Sequence, residues 1–194
     1  MATVPGAASA HKALPGFESP AVGFESPFEM LEACHERVQR TLKLLVRLQA
    51  HVQQHGCDEQ ARQAAQDVMR YFDLAAPLHH EDEELHVCPA VLAQGNGALT
   101  SAVKQLMDQH RQMERHWVGL RAALASLVAC EMPQQQTFES LQKEAVAAFV
   151  ALYDAHILLE EDLVYPAANK HLDQVMKNAM GADMKRRRGA KSAN

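Results

Sequence analysis

Apolar residues recur every three or four positions in four long segments of this chain. In the first segment, Leu31, Val38 and Leu42 follow that spacing, and the same pattern repeats in each of the others. The segments begin at about residues 27, 58, 100 and 137. Spacings of three and four place side chains on one face of an α-helix. Four amphipathic helices joined by short connections predict an all-α fold, an up-down-up-down antiparallel four-helix bundle.

The two ends of the chain lack this pattern. Residues 1–26 are rich in Ala, Gly, Pro and Ser, and the sequence Gly-Phe-Glu-Ser-Pro occurs twice between residues 16 and 27. We expect an extended N-terminal arm there, with Phe17 and Phe24 as candidates to pack on the bundle. The bundle is predicted to span residues 27–175. Residues 176–194 are predicted to form a frayed basic tail.

Composition agrees with helices, because only 5% of the residues are aromatic and strands favour aromatic and β-branched residues. The net charge is −5 although five of the last ten residues are basic and none is acidic, so the body of the chain is acidic, which argues against nucleic acid as a partner. The four cysteines form no C-x-x-C pair. The sequence shows no membrane-spanning run and no signal-peptide pattern, so we expect a cytoplasmic protein.

Each of the four apolar stripes contains a histidine at a position where leucine or alanine is expected. These residues are His35, His79, His110 and His156. A single histidine in a core is more often a hydrogen-bonded core residue than a metal ligand. Four buried imidazoles, one from each helix, would be costly without a shared partner, because each brings ring nitrogens that need satisfying. A metal ion satisfies them together.

Two of these histidines are followed, one helical turn later, by a glutamate. The pairs are His79 with Glu83 and His156 with Glu160, and a spacing of four residues places both side chains of a pair on the same helix face. The two pairs are 77 residues apart. The chain therefore contains two similar helical hairpins, related by an approximate two-fold axis. Two metal ions are a more natural prediction for such symmetry than one.

In order, the residues read H, H-H-x-x-E-E-x-x-x-x-P, H, and H-x-x-x-E-E-x-x-x-x-P. This pattern resembles the hemerythrin-like, HHE cation-binding domains over residues 27–172. The resemblance implies a four-helix bundle around a non-haem di-iron centre, with an oxo or hydroxo group and carboxylates bridging two iron ions. His35 and His79 would bind one iron and His110 and His156 the other. Glu83 and Glu160 would bridge the pair.

Oxygen-carrying hemerythrins resemble this pattern but place a further histidine where this chain has Glu114. Glu114 is therefore either an additional ligand or an acceptor for an imidazole N–H. A ligand set richer in carboxylates favours the oxidised metal and argues against reversible oxygen carriage. His80 is expected to support the site rather than bind the metal. His86 could approach the metal or cap the helix end, and Glu84 and Glu161 are expected to be solvated or to orient imidazoles.

Three classes of function remain open from the sequence. The first is a metal protein that binds or senses a small ligand, namely oxygen, nitric oxide or peroxide. The second is a di-iron enzyme that reduces nitric oxide or peroxide, or an iron donor in iron–sulfur cluster repair. The third is a bundle that binds zinc adventitiously, or no metal, which the paired repeats disfavour.

Overall fold

A computed structural model describes residues 22–130 and 141–189, and within these ranges the chain is helical and contains no strand. The described residues form a bundle of long helical segments, each of which we call a rod. The first rod is helix α1, Pro27–His55. Pro27 suits the first helical turn, because a helix leaves its first N–H groups unpaired. Gly56 ends the helix with a φ of 74°, a conformation that favours glycine. The predicted all-α fold is confirmed.

The second rod is built from three α-helices in line. Helix α2 is Glu59–Arg70, α3 is Ala76–Asp82 and α4 is Cys88–Leu92. The side chain of Asp58 caps α2 by accepting a hydrogen bond from the Ala61 N–H. The third rod is helix α5, Gly97–Val128, capped by the side chain of Asn96. The fourth contains α6, Lys143–Leu159, and α7, Tyr165–His171.

Short π-helical turns join the helices of the second and fourth rods. Among the described residues these turns are Tyr71–Ala75, Glu83–Val87 and Glu160–Val164. After each turn, the residue that donates the last π-type hydrogen bond is followed directly by a proline: Pro77, Pro89 or Pro166. Proline has no N–H and clashes with the carbonyl four residues before it. The wider turn accommodates each proline, so both rods continue through it.

The four rods close into a ring, in which each packs against the next and the fourth returns to the first. Two apolar clusters fill the interior. The first combines the second half of α1 with α2 and the second half of α5, and the other combines the start of α1 with α4 and α7. This pairing of ends is what an antiparallel bundle produces. No helix in the described ranges is long and apolar enough to cross a membrane.

A further helix, α8, occupies Gln174–Arg187, where a frayed basic tail was expected. Asp173 caps it, and Met180 and Met184 are buried in the second apolar cluster. Arg187 and Arg188 bind the carboxylate of Asp82, which is completely buried. The helix forms because these side chains find partners in the bundle that the local sequence does not reveal.

The N-terminal arm is described only from residue 22, so the expected contact of Phe17 lies outside the described residues. Phe24 is half-buried and packs against the second apolar cluster, as expected. Its carbonyl oxygen lies so close to α8 that a Cβ added to Gly181 would be 1.8 Å from it. Glycine at this position therefore permits the arm and α8 to touch.

We expect Gly181→Ala to lower the free energy of unfolding by about 1–3 kcal/mol, because the added methyl group must displace backbone. Urea denaturation measures the change. Gly119→Ala is the matched control, since a Cβ there meets nothing within 4 Å and alanine favours helix. Equal stability of the Gly181→Ala and wild-type chains would mean that the arm does not pack against α8.

Candidate metal centre

The four histidines predicted from the stripes meet between the two apolar clusters, one from each rod. His35, His79, His110 and His156 are all buried. Glu83 and Glu160 are buried with them, at 1% and 0% exposure. Both glutamates are the first residues of π-helical turns, a feature that recurs at functional sites.

Glu83 lies between imidazoles from two different rods. Its Oε1 is 3.2 Å from His79 Nε2, and its Oε2 is 3.3 Å from His110 Nε2. One carboxylate thus has an oxygen toward each of two histidines. Carboxylates in this position can bridge two metal ions.

Glu160 is placed in the same way between the other two imidazoles. Its Oε2 is 3.1 Å from His35 Nε2, and its Oε1 is 3.0 Å from His156 Nε2. The six side chains form two overlapping groups, and within each group one ligand atom per residue lies within 4.8 Å of all the others. The groups are His35, His79, Glu83 and Glu160, and Glu83, His110, His156 and Glu160. The geometry therefore groups His35 with His79 and His110 with His156, and both carboxylates belong to both groups.

The outer nitrogens of the imidazoles are held by other side chains. Glu161 lies 2.7 Å from His35 Nδ1, and Glu84 lies 2.8 Å from His110 Nδ1. Both glutamates follow a central glutamate directly, and both are exposed on their other side. Hydrogen bonds of this kind orient an imidazole and direct its Nε2 inward. Of the two roles considered for Glu84 and Glu161, the structure shows the orienting one.

Burial and charge set the protonation of the centre. Burial lowers the pKa of His79 to about 3 and that of His156 to about 4. Burial alone would also lower the pKa of His110, but the adjacent carboxylate of Glu83 and its charge raise it to about 9. Burial opposes ionisation of Glu83, yet the charges of His79 and His110 hold its pKa well below the usual range. Neutral imidazoles and ionised carboxylates are the forms that bind metal ions.

The second carboxylate is affected differently. Burial and the charge of Glu83 raise the pKa of Glu160 well above its usual range, because two adjacent buried carboxylates cannot both ionise easily. Several of the buried polar atoms lack a hydrogen bond to any described residue. At the centre these are His79 Nδ1, His80 Nε2, Glu83 Oε2 and both carboxylate oxygens of Glu160, since the contacts of the carboxylates with imidazole nitrogens at 3.0–3.3 Å lack hydrogen-bond geometry. Buried polar atoms are rarely left unpaired, so the donor set fits a cation that would bind them.

His80 is closer to the centre than the sequence indicated. Its side chain is 8% exposed, and its ring stacks on His110 with centroids 4.1 Å apart. His80, His110 and His156 form a third group whose ligand atoms lie within 4.8 Å of one another. His79 and His80 thus face different groups, because successive residues of an α-helix point about 100° apart. The adjacent histidines in the sequence were the feature from which a place for His80 near the centre could have been predicted.

Tyr165 also reaches the centre, although the sequence could not place its hydroxyl. The hydroxyl donates a hydrogen bond to Glu83 Oε1 and lies 3.2 Å from His35 Nε2. Its ring stacks on the His35 ring. Burial, together with the charges of Glu160 and Glu83, raises the pKa of Tyr165, so without a cation the phenol keeps its proton.

The structure does not bring Glu114 into any of these groups. Its side chain is exposed and forms no hydrogen bond with an imidazole among the described contacts. Helix α5 is an uninterrupted α-helix, so it lacks the π-helical turn that begins at both central glutamates. His86 also stays away from the centre and contacts Asp183 of α8 at 2.9 Å.

A cavity of about 10 Å³ lies against the centre, lined by His35, His79, His80, His156 and apolar side chains. A larger pocket of about 60 Å³ lies beside it, between Trp117, Met113, Pro77 and Glu114. His80, Ala76 and Tyr153 line both spaces. These three side chains therefore form the wall between the outer pocket and the inner cavity.

Comparison with known proteins shows two similarities. Residues 26–168 match the hemerythrin HHE cation binding domain. The chain is 31% identical over 168 residues to an uncharacterised protein of Haemophilus influenzae, covering 87% of this chain and 93% of that protein.

Proposed function

The chain belongs to the hemerythrin HHE cation-binding domain family, and we propose that it is a non-haem di-iron protein that binds or senses a small ligand. The observation that carries the proposal is the pair of overlapping groups that share Glu83 and Glu160. One ion would be held by His35 and His79, and the other by His110 and His156. The shared carboxylates would bridge them.

The donor atoms suit iron. Imidazole nitrogens and carboxylate oxygens together form a ligand set of intermediate hardness, which iron accepts in both of its common oxidation states. Bound iron would supply redox and ligand-binding chemistry at the centre. The protein's own contribution is to fix the imidazoles through Glu84 and Glu161 and to surround them with the two apolar clusters.

The inner cavity supports a small ligand. Its volume of about 10 Å³ is close to that of one water-sized sphere, so only a ligand of a few atoms would fit without rearrangement. Oxygen, nitric oxide and peroxide have two heavy atoms each, so they are the candidate ligands that need the least rearrangement of this cavity. The apolar lining from Val38 and Ile157 favours a ligand of low polarity over a hydrated ion.

The second candidate function is a di-iron enzyme that reduces nitric oxide or peroxide. The outer pocket favours it, because a route past His80 and Tyr153 would let substrate and product exchange during turnover. A sensor or carrier should bind its ligand stoichiometrically and release it unchanged. An enzyme should consume nitric oxide or peroxide over many turnovers, and continuous electrode assays with a reductant distinguish the two.

We expect the chain, when produced in cells supplied with iron, to contain about two iron ions. Elemental analysis measures this content. His79→Ala and His156→Ala should each reduce the iron content, because each removes a donor from a different group. Chelation should lower the melting temperature, since a metal bound only by the folded state stabilises it.

His116→Ala is the matched control, because His116 is an exposed histidine of α5. Its iron content should equal that of the wild-type chain. Little iron in the wild-type chain, or a content that neither central substitution changes, would refute the di-iron proposal.

A cytoplasmic location is part of the proposal. Cys34, Cys57 and Cys88 are buried thiols outside any disulfide among the described residues. Unpaired thiols are typical of reducing compartments.

A further inference from the structure

The two halves of the centre are related by the 77-residue repeat, but they differ at two positions close to the ligands. The residue after His79 is His80, whereas the residue after His156 is Ile157. The residue before Pro166 is Tyr165, whereas the residue before Pro89 is Cys88. Each half therefore contributes one polar side chain that the other lacks.

The phenol of Tyr165 lies on the side of His35 and His79. Its hydroxyl approaches His35 Nε2, the nitrogen that faces Glu160, and also contacts the oxygen of Glu83 that faces His79. The hydroxyl therefore lies among the atoms that would bind the ion on this side. The ring is fixed by stacking on His35 and by edge contact with Phe28.

His80 lies on the opposite side, with His110 and His156. Its ring stacks on His110, and its buried Nε2 has no hydrogen-bond partner among the described residues. One ligand atom of His80 lies within 4.8 Å of those offered by His110 and His156. Parallel stacked rings direct their lone pairs in separate planes, so His80 would bind the same ion as His110 by turning its ring out of the stack, which its unpaired buried nitrogen favours.

We propose that the two metal positions are chemically distinct, with Tyr165 binding the ion held by His35 and His79, and His80 binding the ion held by His110 and His156. This inference rests on the proposed di-iron function. The first position then has two nitrogens and three oxygens from five side chains. The second has three nitrogens and two oxygens.

The difference in donors predicts a difference in metal preference. An oxygen-rich position with a phenolate favours a hard ferric ion, whereas a third imidazole favours a softer divalent ion such as zinc. To bind the ion through Oη, the phenol of Tyr165 would lose its proton to solvent, and no electron would move in that step. The positive charge of the ion reverses the effect of the neighbouring carboxylates on the phenol.

Visible absorption tests the tyrosine ligand, because a phenolate bound to ferric iron gives a charge-transfer band that imidazoles and carboxylates do not give. The iron-loaded chain, oxidised with ferricyanide, should show this band. Tyr165→Phe should abolish it, while elemental analysis still finds bound iron. Tyr153→Phe is the control, since Tyr153 is buried beside His80 on the other side, and the band should remain.

The outcomes separate this inference from the function on which it rests. A wild-type chain that contains iron but shows no phenolate band would refute the tyrosine ligand and leave the di-iron proposal intact. A phenolate band that persists in the Tyr165→Phe chain would also refute Tyr165 as a ligand. A chain that takes up no iron would refute the proposed function itself.

Mixed-metal loading tests the distinction between the positions. Chelated protein is reloaded with equal amounts of zinc and of ferric iron supplied as a soluble citrate complex. If iron binds on the tyrosine side and zinc on the three-histidine side, the absorbance of the phenolate band per bound iron should be about twice that of the di-iron form. An unchanged band per iron would show random occupancy and refute the distinction. His80→Ile, which copies Ile157 of the other half, should remove the preference.

Discussion

We expect Asp82→Ala to lower the free energy of unfolding by about 1.5–3 kcal/mol, because it removes charged hydrogen bonds from two partly buried guanidinium groups. Asp82 is fully buried, and its two carboxylate oxygens are each 2.5 Å from a guanidinium, one of Arg187 and one of Arg188. Arg187 keeps a contact with Asp183, but Arg188 loses its carboxylate. Urea denaturation of the metal-free chain, with comparison of midpoints, measures the loss without a contribution from metal binding.

The control for Asp82→Ala is Asp162→Ala, which removes an exposed acid from the Glu160–Val164 turn and should change stability by less than about 0.5 kcal/mol. A second variant replaces the whole cluster by apolar residues: Asp82→Leu, Arg187→Met and Arg188→Leu. It should be more stable than Asp82→Ala, since replacing a buried ion cluster costs less than breaking it. A loss below about 1 kcal/mol for Asp82→Ala would mean that water enters the cluster.

The metal-free chain should also lose stability as the pH falls from about 6.5 to about 4, by an amount on the order of 3–5 kcal/mol. In this range the unfolded chain protonates His79 and His156, whereas the folded chain does not, because burial lowers their pKa to about 3 and about 4. The unfolded state therefore binds more protons and gains free energy relative to the folded state. Urea denaturation midpoints of the chelated protein at several pH values measure how the free energy of unfolding changes with pH.

Protonation of His110 should instead stabilise the folded chain. Its pKa is raised to about 9, so the stability it contributes is complete below about 6.5 and is lost as the pH rises through 9. Glu160 also opposes the acid loss, because its raised pKa lets the folded chain bind a proton that the unfolded chain does not yet bind as the pH falls. The net prediction is a stability maximum near neutral pH. His156→Gln should reduce the acid slope, and His116→Gln, which changes an exposed histidine, should leave it unchanged. Equal stability at about pH 6.5 and pH 4.5 would contradict the prediction.

The histidines and glutamates that form the centre could be identified from the sequence because their placement is local. Helical periodicity puts His35 on the buried face of its rod, and a spacing of four residues puts Glu83 beside His79. Both inferences need only the geometry of a single helix. The repeat of 77 residues then indicated that the two hairpins contribute equivalent groups.

The other residues of the centre depend on contacts that no single helix determines. Tyr165 lies after a π-helical turn, so regular α-helical spacing from His156 does not give its direction. Glu114 has the favourable spacing from His110, but its helix continues without a π-helical turn and the side chain reaches solvent. Helix α8 was missed because its buried methionines and its arginines find partners far away in the sequence.

The prolines that follow the π-helical turns have a consequence for protein design. A π-helical turn contains one residue more than the α-helical spacing requires, so it rotates everything after it by about 100° relative to a straight helix. In the second rod this rotation separates the direction of His79 from that of the residues after Pro89. Both ligands of the His-x-x-x-Glu pair precede this rotation, because the Glu83 N–H still bonds to the His79 carbonyl in the ordinary α-helical way. Grafting the pair alone onto an idealised helix would therefore need only the two ligands, whereas grafting it together with the side chains that follow the turn would need the extra residue and the proline as well.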